Sequence, residues 1–232
     1  MENDEEMIKL MRILQFTDSA FPVGTFSFSN GLETASYERI VKDRASLESF
    51  ARSQMRQAAF SDGVAAICTY RSVLANDYPS CIIADQYLYA FKMNDEARQM
   101  SVKMGKKFTE LGVKLYDNRF LAKWLEDINS GLTPGMYPIA QGIIFALTGL
   151  SERQLFSSHQ YGAINMILSA ALRCVKVSHY DTQKIMVILS EEIDKLYQES
   201  SEMQLQDMNA FYPELDILAS LHEKGKMRMF MN

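Results

Sequence analysis

YGAINMILSAALRCV, residues 161–175, places Tyr161, Ile164, Leu168, Leu172 and Val175 at steps of three and four. That period marks a helix with one apolar face, whereas a strand would alternate at every second residue. The same period returns in residues 182–197 through Ile185, Leu189, Ile193 and Leu196. These two segments set the expectation for the rest of the chain.

Working outward, other helices announce their ends. Ser46, followed by Glu48 and a long run to Phe60, reads as a capped start. Ser61 and Asp62 read as the cap of a further helix reaching about Ala75. Asn76-Asp77-Tyr78-Pro79 is a turn, with Ser80 opening the next helix. Asn94-Asp95-Glu96 supplies an acidic first turn for a helix with Ala97, Met100, Met104, Phe108 and Leu111 on one face. Residues 130–135, SGLTPG, form the clearest internal break. Pro138 can start the helix that follows, and Gly149-Leu150-Ser151 separates that helix from the next. The nearest approach to strand-like alternation is Thr25 to Ser29, which is short and flanked by glycine. The expected fold is all-α: a single bundle-like domain of about eight to eleven helices over residues 1–232.

Composition narrows the function. With 232 residues the chain can bury a sizeable core. A net charge of -5 argues against nucleic acid as a partner. The three cysteines, Cys68, Cys81 and Cys174, are far apart and odd in number, so they read as reduced, buried thiols of a cytoplasmic protein. MENDEEMIKL is acidic where a signal peptide would be basic, and no run of 18 apolar residues occurs, so neither export nor a membrane span is expected.

Catalytic and metal signatures are missing. Gly24 and Gly31 stand seven apart with no lysine between them, which does not match a phosphate-binding loop. GTFSF lacks the second glycine of a nucleophile turn. The histidines, His159, His179 and His222, never recur at i and i+4, and neither CxxC nor HExxH is present. His179 is read as following a helix C-terminus. His222 with Glu223 offers at most a weak site for a borderline metal such as nickel. Adjacent carboxylates such as Glu191 and Glu192 do not face one another across a helix and read as solvated.

Two features remain. The loop FPVGTFSFSNGLE (21–33) carries Phe21, Phe26 and Phe28 among glycines. The tail adds Met227, Met229, Phe230 and Met231 to Lys226 and Arg228, where terminal residues are normally polar and frayed. Both read as contact surfaces, with Phe21 and Phe28 packed inward to staple the loop. On these grounds the chain is an interaction protein rather than an enzyme.

At this point the residues resemble a known family. ILQFTDSAFPVGTFSFSNGLE (13–33) is similar to the N-terminal signature of the urease accessory protein family UreF, through Ala20, Pro22, Gly24, Phe26, Ser29, Gly31, Leu32 and Glu33. EARQMSVKMGKKFTEL (96–111), YPIAQGIIFALTGL (137–150), AINMILSAALRCVKVSHYDTQKIM (163–186) and LHEKGKMRMFMN (221–232) resemble its later segments in the right order. Phe28 stands where the family often has histidine, and Lys176-Val177-Ser178-His179 stands where it often reads Pro-Leu-Gly-Gln.

The resemblance implies an all-α homodimer that catalyses no reaction itself. It implies partnership with UreD (UreH in some species), with the GTPase UreG, and through them with apo-urease, in cytoplasmic GTP-dependent nickel insertion. No cofactor would be held tightly, and nickel would be handled by the complex. Within this picture residues 17–31 form a contact loop and 225–232 a docking tail. Pro22, Gly24, Ser29, Gly31 and Glu33 shape the loop, with Gly31 and Glu33 starting the next helix. Phe26, Arg228, Met229 and Phe230 meet a partner. Rival readings are direct regulation or activation of the GTPase, with Arg228 as an arginine finger, direct nickel storage, and an unrelated helical enzyme for a small ligand.

Overall fold

A computed structural model describes residues 2–24, 28–209, 212–223 and 229–230. Among these residues there is no strand. The helices are α1 (Glu2–Thr17), α2 (Leu32–Tyr37), α3 (Arg44–Ala58), α4 (Val64–Leu74), α5 (Tyr78–Phe91), α6 (Asp95–Leu115), α7 (Arg119–Ser130), α8 (Tyr137–Leu147), α9 (Glu152–Cys174), α10 (His179–Ser190), α11 (Ile193–Ser201) and α12 (Pro213–Glu223). A π-helical turn, Ala59–Gly63, joins α3 to α4 without a break. Counted as rods, the described helices fall at the upper end of the expected range.

Most boundaries follow local hydrogen bonding. Asn94 caps α6, its side chain accepting from the Ala97 N–H at 2.8 Å. Ser151 and Gln154 form a reciprocal capping pair at the start of α9, and Pro138 lies in the first turn of α8. Several expected starts move by a few residues. Asp43, not Ser46, caps α3: its carboxylate accepts from the Ser46 N–H at 2.9 Å, and the Ser46 hydroxyl accepts from the Asp43 N–H at 3.1 Å. Asp77 plays the same part for α5, with Ser80 inside the first turn. His179 does not follow a helix end; it opens α10 behind the Ser178 cap. Residues 182–197 divide between α10 and α11, separated at Glu191 and Glu192, where Glu192 is drawn to Arg52 of α3 at 2.8 Å.

The expected start at Ser61 and Asp62 is absent for a different reason. The Ser61 hydroxyl bonds back to the Gln57 carbonyl at 2.7 Å, and Asp62 is buried and paired with Lys92. Neither side chain is left to cap a new helix. The chain absorbs the extra residue as a π-turn instead.

The core forms two apolar clusters. One gathers Phe16, Leu88, Phe108, Trp124, Ile139 and Phe145, mainly from α1 and α4–α8. The other gathers Leu32, Leu47, Met55, Phe156, Ile167 and Ile185, mainly from α2, α3 and α9–α12. Helix α8 is buried from Pro138 through Ala146 and packs on α4 and α6, which precede the 130–135 break. The break therefore divides no domains. It is pinned by Asp85 of α5, whose buried carboxylate accepts from the Thr133 hydroxyl at 2.5 Å and the Gly135 and Met136 N–H groups at 2.6 and 2.7 Å.

Gly105 is what lets α6 approach this loop. A Cβ there would lie 2.0 Å from the Gly135 carbonyl oxygen and 2.6 Å from the Met136 carbonyl carbon. In an open helix interior, Gly→Ala gains up to about 1 kcal/mol. At Gly105 the clash is with backbone and dominates, so Gly105→Ala is expected to lower stability by about 2–3 kcal/mol. Gly162→Ala on α9, where a Cβ meets nothing within 4 Å, is expected to be neutral or to stabilise by up to about 1 kcal/mol. Urea unfolding of both variants checks the contrast.

Candidate functional site

The loop and tail singled out by the sequence meet at one carboxylate. Asn30 and Gly31 both take positive φ, 54° and 81°, and turn the chain sharply into α2. Glycine is required at the second position. The conformation disfavours a side chain, and a Cβ would sit 3.0 Å from the Ala219 nitrogen and 3.2 Å from the Leu218 Cβ of α12. Gln54 of α3 holds the turn from the other side: its amide donates to the Asn30 carbonyl at 3.0 Å and accepts from the Asn30 side chain at 3.3 Å. Ser29 and Leu32 are fully buried. The turn thus aims Glu33, in the first turn of α2, at the chain's C-terminal end.

Glu33 clasps that end. One carboxylate oxygen accepts from the Met229 N–H at 2.8 Å; the other accepts from the Phe230 N–H at 3.2 Å and faces His222 Nε2 at 2.9 Å. The opposite ring nitrogen, Nδ1, faces Glu96 of α6 at 3.1 Å. Burial alone would push the Glu33 carboxyl upward, but the bonds from His222 and from the two backbone N–H groups outweigh it. The carboxyl is held below its ordinary value of 4.5. Phe230 is drawn into the second apolar cluster at 5% exposure, under the guanidinium of Arg173, whose Cζ stands 4.1 Å from the ring centroid. The Ser36 hydroxyl of α2 donates to the Cys174 carbonyl, tying the same corner to the end of α9.

The expected site residues divide accordingly. Phe28 is buried, and Phe21 packs edge-on against Phe16 and Phe108 with ring centroids 5.8 and 5.6 Å apart. Both staple the loop inward, as expected. Pro22 and Gly24 are exposed, Gly24 at φ +88°. Gly31 and Glu33 start α2, as expected, but Glu33 also holds the tail. Met229 is 59% exposed. Phe230, expected at a partner surface, is instead part of this chain's own core, because Glu33 pins the backbone beside it. Phe26 and Arg228 lie outside the described residues.

The metal expectation for His222 with Glu223 is replaced. His222 is 3% exposed and turns both ring nitrogens to carboxylates on opposite sides, so neither nitrogen faces open space where an ion could sit; the Glu223 side chain lies outside the described residues. Among the described residues, no group of three His, Cys, Asp or Glu is placed to hold a metal. The cysteines are free thiols, Cys81 buried and Cys68 and Cys174 partly so. Burial, reinforced by the Glu33 charge, pushes the Cys174 thiol up to about 11, too high for a reactive thiolate at neutral pH. Sequence reasoning missed Glu96, Gln54 and Arg173 as parts of the clasp. Glu96 was legible only as first-turn acid, since its partner is 126 residues away.

Glu33→Gln is expected to lower stability at neutral pH by about 1–3 kcal/mol, because two backbone donors and His222 lose a charged acceptor. The folded Glu33 carboxyl lies below its unfolded value, so its contribution is complete above about pH 5 and is lost as pH falls through the depressed folded value. The gap between wild type and variant should therefore shrink in acid. Hydrogen exchange at the Met229 and Phe230 amides should quicken in the variant.

Known proteins share this chain throughout. The UreF family model matches residues 41–190. Urease accessory protein UreF 2 of Brucella abortus (strain 2308) is 42% identical over 223 residues, covering 96% of this chain and 92% of the relative. Urease accessory protein UreF 1 of Brucella melitensis biotype 1 is likewise 42% identical over the same shares. Urease accessory protein UreF of Yersinia pseudotuberculosis serotype I is 39% identical over 223 residues, covering 96% of this chain and 98% of that protein. These relatives are accessory proteins and not enzymes, which removes the reading of an unrelated helical enzyme. A helical chain whose signature loop and tail interlock, and which matches these proteins nearly end to end, belongs to the UreF family of urease accessory proteins and has a general role in urease maturation.

Proposed function

We propose that the chain is the scaffolding subunit of a nickel-insertion assembly. It bridges UreD (UreH in some species) and the GTPase UreG, and through them serves GTP-dependent maturation of the urease nickel centre. In this reading it works in the cytoplasm as a homodimer, and nickel is cargo of the complex rather than a resident of this subunit.

The observation that carries the reading is the meeting of loop and tail at Glu33. Two segments nearly the whole chain apart are brought to one corner, with Met229 turned outward beside them. Arg228 precedes Met229 in the sequence, and Phe26 stands two residues before the buried Phe28; these two residues are the partner contacts of this reading. Phe26 supplies a flat apolar contact to UreG at low cost in side-chain entropy, and Arg228 a polar anchor. Phe230 acts as the internal peg that fixes the tail. Among the described residues no helix is long and apolar enough to cross a membrane, in keeping with a partner-bound rather than membrane-spanning role.

Co-purification with UreD and UreG tests the class: a stable ternary complex is expected, and failure to form one contradicts the reading. Phe26→Ala and Arg228→Ala are each expected to weaken UreG capture by about tenfold or more with helical circular dichroism unchanged. Unchanged capture, or loss of helicity, overturns their assignment. Single-turnover GTP hydrolysis separates scaffold from activator. A scaffold leaves the UreG rate unchanged or lowers it, whereas an arginine finger raises it by about a thousandfold or more.

A further inference from the structure

Helix α1 is apolar on two faces. Ile13 and Phe16 turn inward and join the first apolar cluster. Met7, Leu10, Met11 and Leu14 fall on the opposite side within an arc of about 100°, given 3.6 residues per turn, and Ile8 stands beside them. All five are between 51% and 69% exposed. A helix on the surface of a globular protein ordinarily keeps its outer face polar. Here five large side chains leave on the order of 500 Å² of apolar surface open, a size at which the largest patch on a monomer is often functional. The face also forms one wall of an open groove of about 630 Å³. Met7, Leu10 and Ile13 line it from α1, and Gly149 and Ser151 from the turn between α8 and α9.

Charge around this face is one-sided. Residues 2–6 read ENDEE, four acids and no base. Glu5 and Glu6 are exposed. The two bases of the helix are already engaged: Lys9 pairs with Glu5 at 3.1 Å, and Arg12 donates to the Thr148 carbonyl at 2.6 Å. What α1 shows to solvent is therefore an apolar stripe with an acidic end. An anionic membrane surface would repel that end. A second copy laid antiparallel would set ENDEE against residues 15–18, QFTD, and bring no base to it. The complement is a protein groove that takes a helix through anchors at i, i+3, i+4 and i+7, apolar along its floor and basic at one rim.

The inference rests on the scaffold reading above. A bridge needs two separate surfaces. The loop–tail corner is pegged by Phe230 in the second cluster, whereas α1 stands on the first. We propose that the outer face of α1 is the docking surface for the partner other than the GTPase, UreD, which receives Met7, Leu10, Met11 and Leu14 in an apolar groove and meets the acidic end with lysine or arginine.

The test measures binding of the full chain to UreD alone. Met11→Glu and Leu14→Glu each put a charge into the stripe at an exposed position. Each is expected to weaken UreD binding by about tenfold or more, with helical circular dichroism and urea unfolding unchanged. Glu6→Lys alters the rim but none of the four anchors, and should weaken binding about threefold at low salt and hardly at all at high salt. A wild-type chain that binds no UreD sinks the scaffold reading and this inference together. Wild-type binding that survives Met11→Glu and Leu14→Glu sinks this inference alone, and indifference to Glu6→Lys sinks the basic rim. Loss of helicity in both stripe variants would show that the face is core. Conversion of a dimer to a monomer by Met11→Glu, read by light scattering, would give the face to a second copy. Either result overturns the proposal.

Discussion

The Glu33 carboxylate is the point on which this corner of the molecule depends. It receives backbone N–H groups from the tail and faces the imidazole of α12, and it sits in the first turn of α2, where the helix dipole favours a negative charge. None of these contacts forms unless the chain turns sharply just before it. Asn30 and Gly31 make that turn in left-handed conformations, and the absence of a side chain on Gly31 lets α12 come close. The order of causes runs from a glycine, to a helix start, to a carboxylate in place, to a tail held on the core, to the burial of Phe230. Burying an aromatic ring of this kind is worth about 1.5–3 kcal/mol, comparable to the polar contacts that guide it in.

The rest of the structure follows the same economy of polar groups. Asp85 holds the 130–135 loop on α5, and Asp62 with Lys92 sits where α3 turns into α4. Both carboxylates are buried. Burial pushes the Asp85 carboxyl upward against the bonds it accepts. Burial acts the same way on Asp62, but the Lys92 charge wins and holds that carboxyl down. Asp62 without Lys92 would be a buried charge that has lost its partner, which is far more costly than an apolar replacement of the pair, so the two residues depend on each other where α3 turns into α4.

The helices were legible in the sequence because their signals are local. The apolar steps in 161–175 and the Asn94 and Ser151 caps lie within one or two turns of what they control. Residues 61 and 62 misled because serine and aspartate look alike as caps and as buried hydrogen-bonding groups; Ser61 turns back to the Gln57 carbonyl, and for Asp62 the deciding partner, Lys92, stands thirty residues on. The inward packing of Phe21 and Phe28 could be anticipated from the loop's excess of aromatics. The placement of Phe230 could not, since its peg depends on Glu33, 197 residues earlier. Glycine, glutamate and histidine each announced themselves in the quoted signatures. That they form one unit is a fact of the tertiary fold, and no period or spacing carries it.

The central claim is that Glu33 positions the tail so that Phe230 can pack. A double-mutant cycle on Glu33→Gln and Phe230→Ala, read by urea unfolding at neutral pH, tests this most directly. If the carboxylate places the ring, the two losses overlap, with a coupling of about 1 kcal/mol or more. If they add to within about 0.5 kcal/mol, the ring packs without the clasp and the account is wrong.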